Sequence, residues 1–249
     1  MKRRSSILIV AMIAASLMLT ACGGGETSLQ IGTDATWPPF EFVDEETKDL
    51  MGFDIDLMNA VAERAGIEFE FVNAGFDPVL AGVAECQYDA AISAISIYPD
   101  RLDNMNFTQP YFAAGQLVTV AIDNETIHGP EDLAGYTVGA QIGTTGAFEV
   151  EEIEGAELKT YDDIGLAFQD LINGQIDAIV ADNTLALGYI AQNPDALKAV
   201  GDTFTAEEYG IAVCPENTEL LEQLDAALGE LIAEGYVDEL VAKWIAVIE

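Results

Sequence analysis

Short β-rich runs alternate with amphipathic helical stretches, and the alternation occurs twice in series; no other feature limits the possible folds of this chain so far. Residues 29–33 read as a strand that breaks at Asp34 and the Pro38-Pro39 pair, since proline cannot continue a ladder. Over 54–65, Ile55, Met58, Val61 and Ala62 recur at helical spacing and Gly66 supplies a stop. The pattern then predicts a strand over 68–72, a short helix over 78–84, a nearly continuous apolar strand over 90–97 and another strand over 115–122. A second set follows His128-Gly129-Pro130: strand 137–140, a turn at Gly143-Thr144-Thr145-Gly146, helix 147–152, strand 158–161, helix 164–172, strand 178–180 and helix 184–192. A strand over 209–213 and helices over 218–233 and 237–247 are left over. With no proline- or glycine-rich linker between the sets, the reading is an α/β chain of two closely joined lobes.

Ahead of this body, Lys2, Arg3 and Arg4 precede an apolar run at 7–18 that is too short to span a bilayer and ends in small residues. Residues 1–21 therefore read as an export signal. Leu19-Thr20-Ala21-Cys22 resembles the lipobox of bacterial lipoproteins, which implies cleavage before Cys22 and a lipid on its thiol. Residues 22–27 read as a flexible tether. The expected location is the extracytoplasmic face of a cell membrane, held there by the lipid, on an open surface or in a periplasm.

Losing the three basic residues of the signal would take the formal net charge from −35 to −38. Nucleic acid needs a basic footprint and is excluded as a partner. Adhesion to anionic head groups is disfavoured as well. Cys86 and Cys214 have neither the density nor the spacing of a disulfide scaffold, so a bridge is not expected, although export permits one. The sole histidine, His128, sits in a polar stretch that reads as a surface loop, and no metal-ligand spacing or cofactor motif is present.

Several stretches together resemble a known family. Residues 33–42 (Thr-Asp-Ala-Thr-Trp-Pro-Pro-Phe-Glu-Phe) and 52–57 (Gly-Phe-Asp-Ile-Asp-Leu) are similar to the start of the polar amino-acid-binding proteins of ATP-driven importers, solute-binding family 3. The likeness continues through 89–101, 107–112, 141–146, 177–182 and Tyr209-Gly210-Ile211-Ala212. It implies a periplasmic-binding-protein-like fold of type II with two hinge crossings: lobe one from 28–112 plus 209–249, lobe two from 113–208. It also implies a monomeric receptor, not an enzyme, that traps a free amino acid between the lobes and hands it to a membrane permease.

Holding a free amino acid requires a bidentate cation for its carboxylate and an anion for its ammonium. Arg101 stands where the family places its carboxylate clamp, whereas Arg64 falls on the outer face of the 54–65 helix. Asp182 matches the family's acid for the ammonium. Ser96 and the backbone of Ala94 are expected to assist, with Thr144 and Thr145 offering donors at a helix N-terminus. Trp37 and Phe76 match the aromatic positions that flank the ligand side chain, while Trp244 reads as packing. Asp34, Ser93 and Gln141 match positions of members that bind basic amino acids, which favours arginine or lysine, with glutamine or another polar amino acid as the alternative. The chain departs from the family pattern at Ala94 and Pro99. The other open reading is a dehydratase of the same fold acting on a prephenate-like acid, with Glu41 or Asp34 as its acid.

Overall fold

A computed structural model describes residues 28–245. The predicted signal (1–21), Cys22 and the tether (22–27) lie outside these residues, as does the end of the predicted final helix.

The first half opens with β1 (Leu29–Thr33), which stops where Asp34 turns the chain out of the sheet. A small antiparallel sheet follows: β2 (Thr36–Trp37), β3 (Glu41–Val43) and β4 (Leu50–Met51). Gly52 then turns the chain into α1 (Phe53–Ala65) at φ 134°, where an added Cβ would lie 2.1 Å from the Phe40 carbonyl oxygen. Gly66 ends this helix in the left-handed region, as its position predicts. β5 (Phe69–Asn73), α2 (Phe76–Ala84), β6 (Ala90–Ala91), α3 (Pro99–Leu102) and β7 (Asn106–Phe107) complete the first pass.

β8 (Phe112–Ala114) leaves this half and leads into β9 (Gln116–Ala121), β10 (Thr137–Gln141), α4 (Thr145–Glu152), β11 (Glu157–Tyr161), α5 (Ile164–Ile172), β12 (Ala178–Asp182), α6 (Asn183–Gln192) and β13 (Leu197–Val200). β14 (Glu207–Tyr209) returns beside β8 in antiparallel register, Phe112 opposite Tyr209. β15 (Ala212–Val213), α7 (Thr218–Glu234) and α8 (Tyr236–Leu240) rejoin the first half. The two five-stranded sheets run β5-β1-β6-β15-β7 and β11-β10-β12-β9-β13. This is the two-lobe α/β arrangement that the sequence implies, with two strands crossing between the lobes.

Burial explains why the leftover elements return. Leu220, Leu224, Leu228 and Leu231 form one face of α7 and share a core with Leu57, Met58 and Val61 of α1. Arg64, on the far side of α1, hydrogen-bonds Glu230 and Glu234 at 2.7–3.0 Å, so it is paired across the surface rather than simply solvated. Phe40, Phe53, Phe112 and Tyr209 pack edge-on or stacked at 5.0–5.7 Å where the crossing strands meet the first lobe. Trp244 packs against Phe42 and donates Nε1–H to Asp56, in line with its packing role.

The predicted strand over 90–97 ends at Ala91: Ala94 takes φ 47° and Ser96 makes only an isolated bridge to Tyr209. The predicted strand over 209–213 is split, because Tyr209 ends the crossing strand and only Ala212–Val213 joins the first sheet. β13 was not expected; Leu-Lys-Ala-Val carries no alternation to mark it, and it forms by pairing with β9.

A further correction concerns the cysteines. Cys86 and Cys214 form a disulfide, with Cα atoms 5.0 Å apart and a sequence separation of 128. The second lobe is inserted between them, so chain distance says nothing about their distance in space. The Cys214 amide donates to the Asp89 carbonyl, which ties the returning segment to the turn after α2.

Candidate functional site

The C-terminal ends of β1, β6, β10 and β12 all face the gap between the sheets, the place where α/β sheets collect ligands. A narrow cleft lies there. The first lobe lines it with Trp37, Phe76, Ser93, Ala94, Ser96 and Arg101; the second contributes Gln141, Thr144, Thr145 and Asp182. Asp34 stands directly behind this wall: its Oδ2 accepts a 2.7 Å hydrogen bond from Gln141 Nε2 and its Oδ1 accepts from Thr36. The sequence-selected residues are thus brought together, ten on the cleft surface and one in contact with it.

Arg101 is held by α3, whose first residue is Pro99, well suited to a helix start. Arg101 is only 6 % exposed. Nη1 donates to the Ser96 carbonyl and Nη2 to the Gly143 carbonyl across the cleft, both at 2.9 Å. Its carbon lies 5.4 Å from the centre of the Phe76 ring. Among the described residues no carboxylate pairs with it, and its Nε has no partner. Burial draws its pKa down to about 10 against the opposing pull of Asp182 and Glu207.

Asp182 ends β12 and is almost completely buried. Its Oδ1 accepts a 2.6 Å bond from Gln116 Nε2, and its Oδ2 accepts from the Tyr209 hydroxyl. Burial, with the charge of Glu207 added, pushes its pKa up to about 7 despite these donors and Arg101. Burial likewise raises Asp34, against the bonds from Gln141 and Thr36. Trp37 and Phe76 are each 6 % exposed and face the cleft.

Thr144 caps α4, its Oγ1 accepting from the Ala147 amide and donating to the Gln141 carbonyl. Gly146 follows in the first turn. A Cβ there would lie 2.7 Å from Gln116 Oε1 and 2.8 Å from the Val180 carbonyl oxygen, so glycine permits α4 to sit this close to β9 and β12. The backbone of Ala94 is partly committed, because its amide donates to Asp54 Oδ2 at 2.7 Å. Ser93 is committed too: its Oγ accepts from the Asp34 amide and donates to Glu41.

Two residues of this region escaped the sequence reading. Glu207, on the returning crossing strand, accepts from Ser96 and Thr145 at one oxygen and from Gln116 and Thr205 at the other, at 2.6–3.0 Å. Gln116 bridges Glu207, Asp182 and Thr145 through one amide nitrogen. One acid among 44 and one glutamine at a strand start carry no signal of their own; what selects them is where the crossing strands run.

Known proteins share this architecture. An ancestral arginine-binding protein bound to arginine superposes with a TM-score of 0.83 at 41% sequence identity, covering 87% of this chain and 97% of its own. The arginine-, lysine-, histidine-binding protein ArtJ of Geobacillus stearothermophilus gives 0.83 at 34%, covering 88% and 95%. By sequence, the ABC transporter arginine-binding protein 1 of Escherichia coli is 33% identical over 95% of this chain and 98% of its own. An L-cystine-binding protein of the same species is 32% identical over 87% and 82%. Residues 29–247 match the bacterial extracellular solute-binding proteins, family 3, and this chain belongs to that family.

Proposed function

We propose that this protein captures a free polar amino acid, arginine or lysine above others, between its lobes and delivers it to the permease of an ABC importer. The observation that carries the reading is the pair of buried, opposed charges: Arg101, free of any carboxylate partner among the described residues, and Asp182 on the facing lobe. A ligand carboxylate would take the open edge of the guanidinium, supported by Ser96 and the N-terminus of α4 at Thr144 and Thr145. Its ammonium would pair with Asp182. The side chain would lie between Trp37 and Phe76 and reach towards Asp34 and Gln141, with Ser93 and the Ala94 carbonyl completing the wall.

Charge favours a cation. Arg101 is outnumbered by Asp34, Asp182 and Glu207, so a zwitterion leaves this region negative and a ligand with one further positive charge offsets it. The names of the relatives lean the same way. Glutamine is the second reading, since an ancestral arginine-binding protein at 42% identity is described bound to glutamine. The relatives are binding proteins of transport systems, which sets the dehydratase reading aside.

Lobe boundaries at 28–112 with 209–249 and at 113–208 are part of this reading, as is a monomer held by a lipid on Cys22 at the outer face of the membrane. Thermal unfolding against a panel of free amino acids tests the ligand. Arginine or lysine should raise the melting temperature most, and Arg101→Ala should abolish the rise. A panel in which no amino acid shifts the unfolding would refute the reading.

A further inference from the structure

Behind the cleft, in the first lobe, two carboxyl groups are buried against each other. Glu41 of β3 and Asp54 of α1 both have no exposed surface, and they are hydrogen-bond neighbours. Among the described residues neither pairs with a lysine, arginine or histidine. Two bare carboxylates in such a place would be strongly disfavoured.

The bonds around them show which atoms are satisfied. Asp54 Oδ2 accepts from the Ala94 amide at 2.7 Å and from the Tyr111 hydroxyl at 2.8 Å. Glu41 Oε1 accepts from Ser93 Oγ at 2.9 Å, and Ser93 in turn accepts from the Asp34 amide. The remaining oxygens, Glu41 Oε2 and Asp54 Oδ1, have no donor at all. A proton carried by Glu41 and donated to the neighbouring Asp54 carboxylate removes one of the two charges and supplies a donor where these oxygens have none.

We infer that Glu41 and Asp54 share a single proton, Glu41 as the acid and Asp54 as the carboxylate, and that this pair positions the Asp34 and Ser93–Ala94 wall of the cleft. The chain of donors runs from the Asp34 amide through Ser93 to Glu41, then to Asp54, which also fixes the Ala94 amide in its left-handed turn. The groups that face the pair are Asp34 from the loop after β1, Tyr111 ahead of β8 and Tyr209 of β14; all are acids or phenols, so no cation competes with the proton. Burial and the neighbouring Asp54 charge both raise Glu41, while Asp54 is raised less because it accepts from Ala94 and Tyr111. The pair itself needs no ligand; its effect on binding rests on the amino-acid reading of the cleft.

The test compares Glu41→Gln and Glu41→Ala with the parent by infrared spectroscopy, thermal unfolding and arginine titration. Glutamine can donate to Asp54 and accept from Ser93, as a protonated glutamate does. At mildly alkaline pH, where Asp182 has ionised, the parent should show a protonated-carboxyl band that Glu41→Gln lacks. Parent stability should fall as pH rises through the raised pKa of Glu41, and Glu41→Gln should lose that fall. Glu41→Ala should bind arginine at least about tenfold more weakly, with Glu41→Gln restoring affinity to within about threefold of the parent. The inference is overturned if the parent has no such band, or if Glu41→Gln melts as low as Glu41→Ala. Should the band and the melting behave as expected while no variant, nor the parent, binds any amino acid, the shared proton stands and the ligand reading falls.

Discussion

Replacing Asp182 by asparagine should make the free protein more stable and a poorer binder. The carboxylate is buried, and its pKa is raised from 3.8 to about 7 chiefly by that burial. A group held so far above its unfolded value stabilises the fold only while protonated. Its contribution is complete below the unfolded carboxylate pKa and is lost as pH rises towards about 7. Above that pH, keeping the charge buried costs on the order of 4 kcal/mol, from three pKa units at about 1.4 kcal/mol each. Asparagine has no such cost. Its oxygen can still accept from Gln116, but its amide must donate to the Tyr209 oxygen, a weaker bond by roughly 1 kcal/mol. A net gain of about 2–3 kcal/mol remains, or roughly 5–10 °C in melting temperature for a chain of this size. Binding should move the other way. Losing a charge-assisted bond to the ligand ammonium costs about 1.5–3 kcal/mol, which is roughly ten- to 150-fold in affinity. Calorimetry with arginine, alongside thermal unfolding at mildly alkaline pH, reads both quantities. A variant that melts lower than the parent there, or binds arginine equally well, would refute the argument.

The parent should bind arginine more tightly as pH rises through about 7, because a ligand ammonium prefers ionised Asp182, and calorimetry in buffers of different ionisation heat should show proton release on binding below that pH. Asp34→Asn should reduce the preference for arginine over glutamine by roughly tenfold while affinity for glutamine changes little, as competition titrations would read. Cys86→Ser with Cys214→Ser should cost about 2–5 kcal/mol of stability in denaturant unfolding, since the bridge closes a very long loop.

Much of this architecture is legible in the sequence because helices and strands of α/β proteins carry their own periodicity. α1, α5 and α7 lie within a residue or two of where their apolar spacing puts them, and Gly66 stops α1 as expected. The cleft residues are legible through motif likeness, since Arg101 or Asp182 alone is one charge among many. The failures share a cause. β13, the split at Gly210, the Cys86–Cys214 bridge and Glu207 all depend on how distant segments meet, and none leaves a local trace. Ala94 is the sharpest case. An alanine in an apolar run reads as strand, yet the buried Asp54 carboxylate captures its amide and bends the chain out of the sheet.

The disulfide also decides how the molecule would bear mechanical load. Tension applied at the ends of the described chain would pass from β1 to Cys86, across the bridge to Cys214 and out through α7. The stretch between the cysteines, which spans a sequence separation of 128 and contains the entire inserted lobe, would carry none of it. Only reduction would put that stretch under strain, adding about 450 Å of extensible length at roughly 3.5 Å per residue.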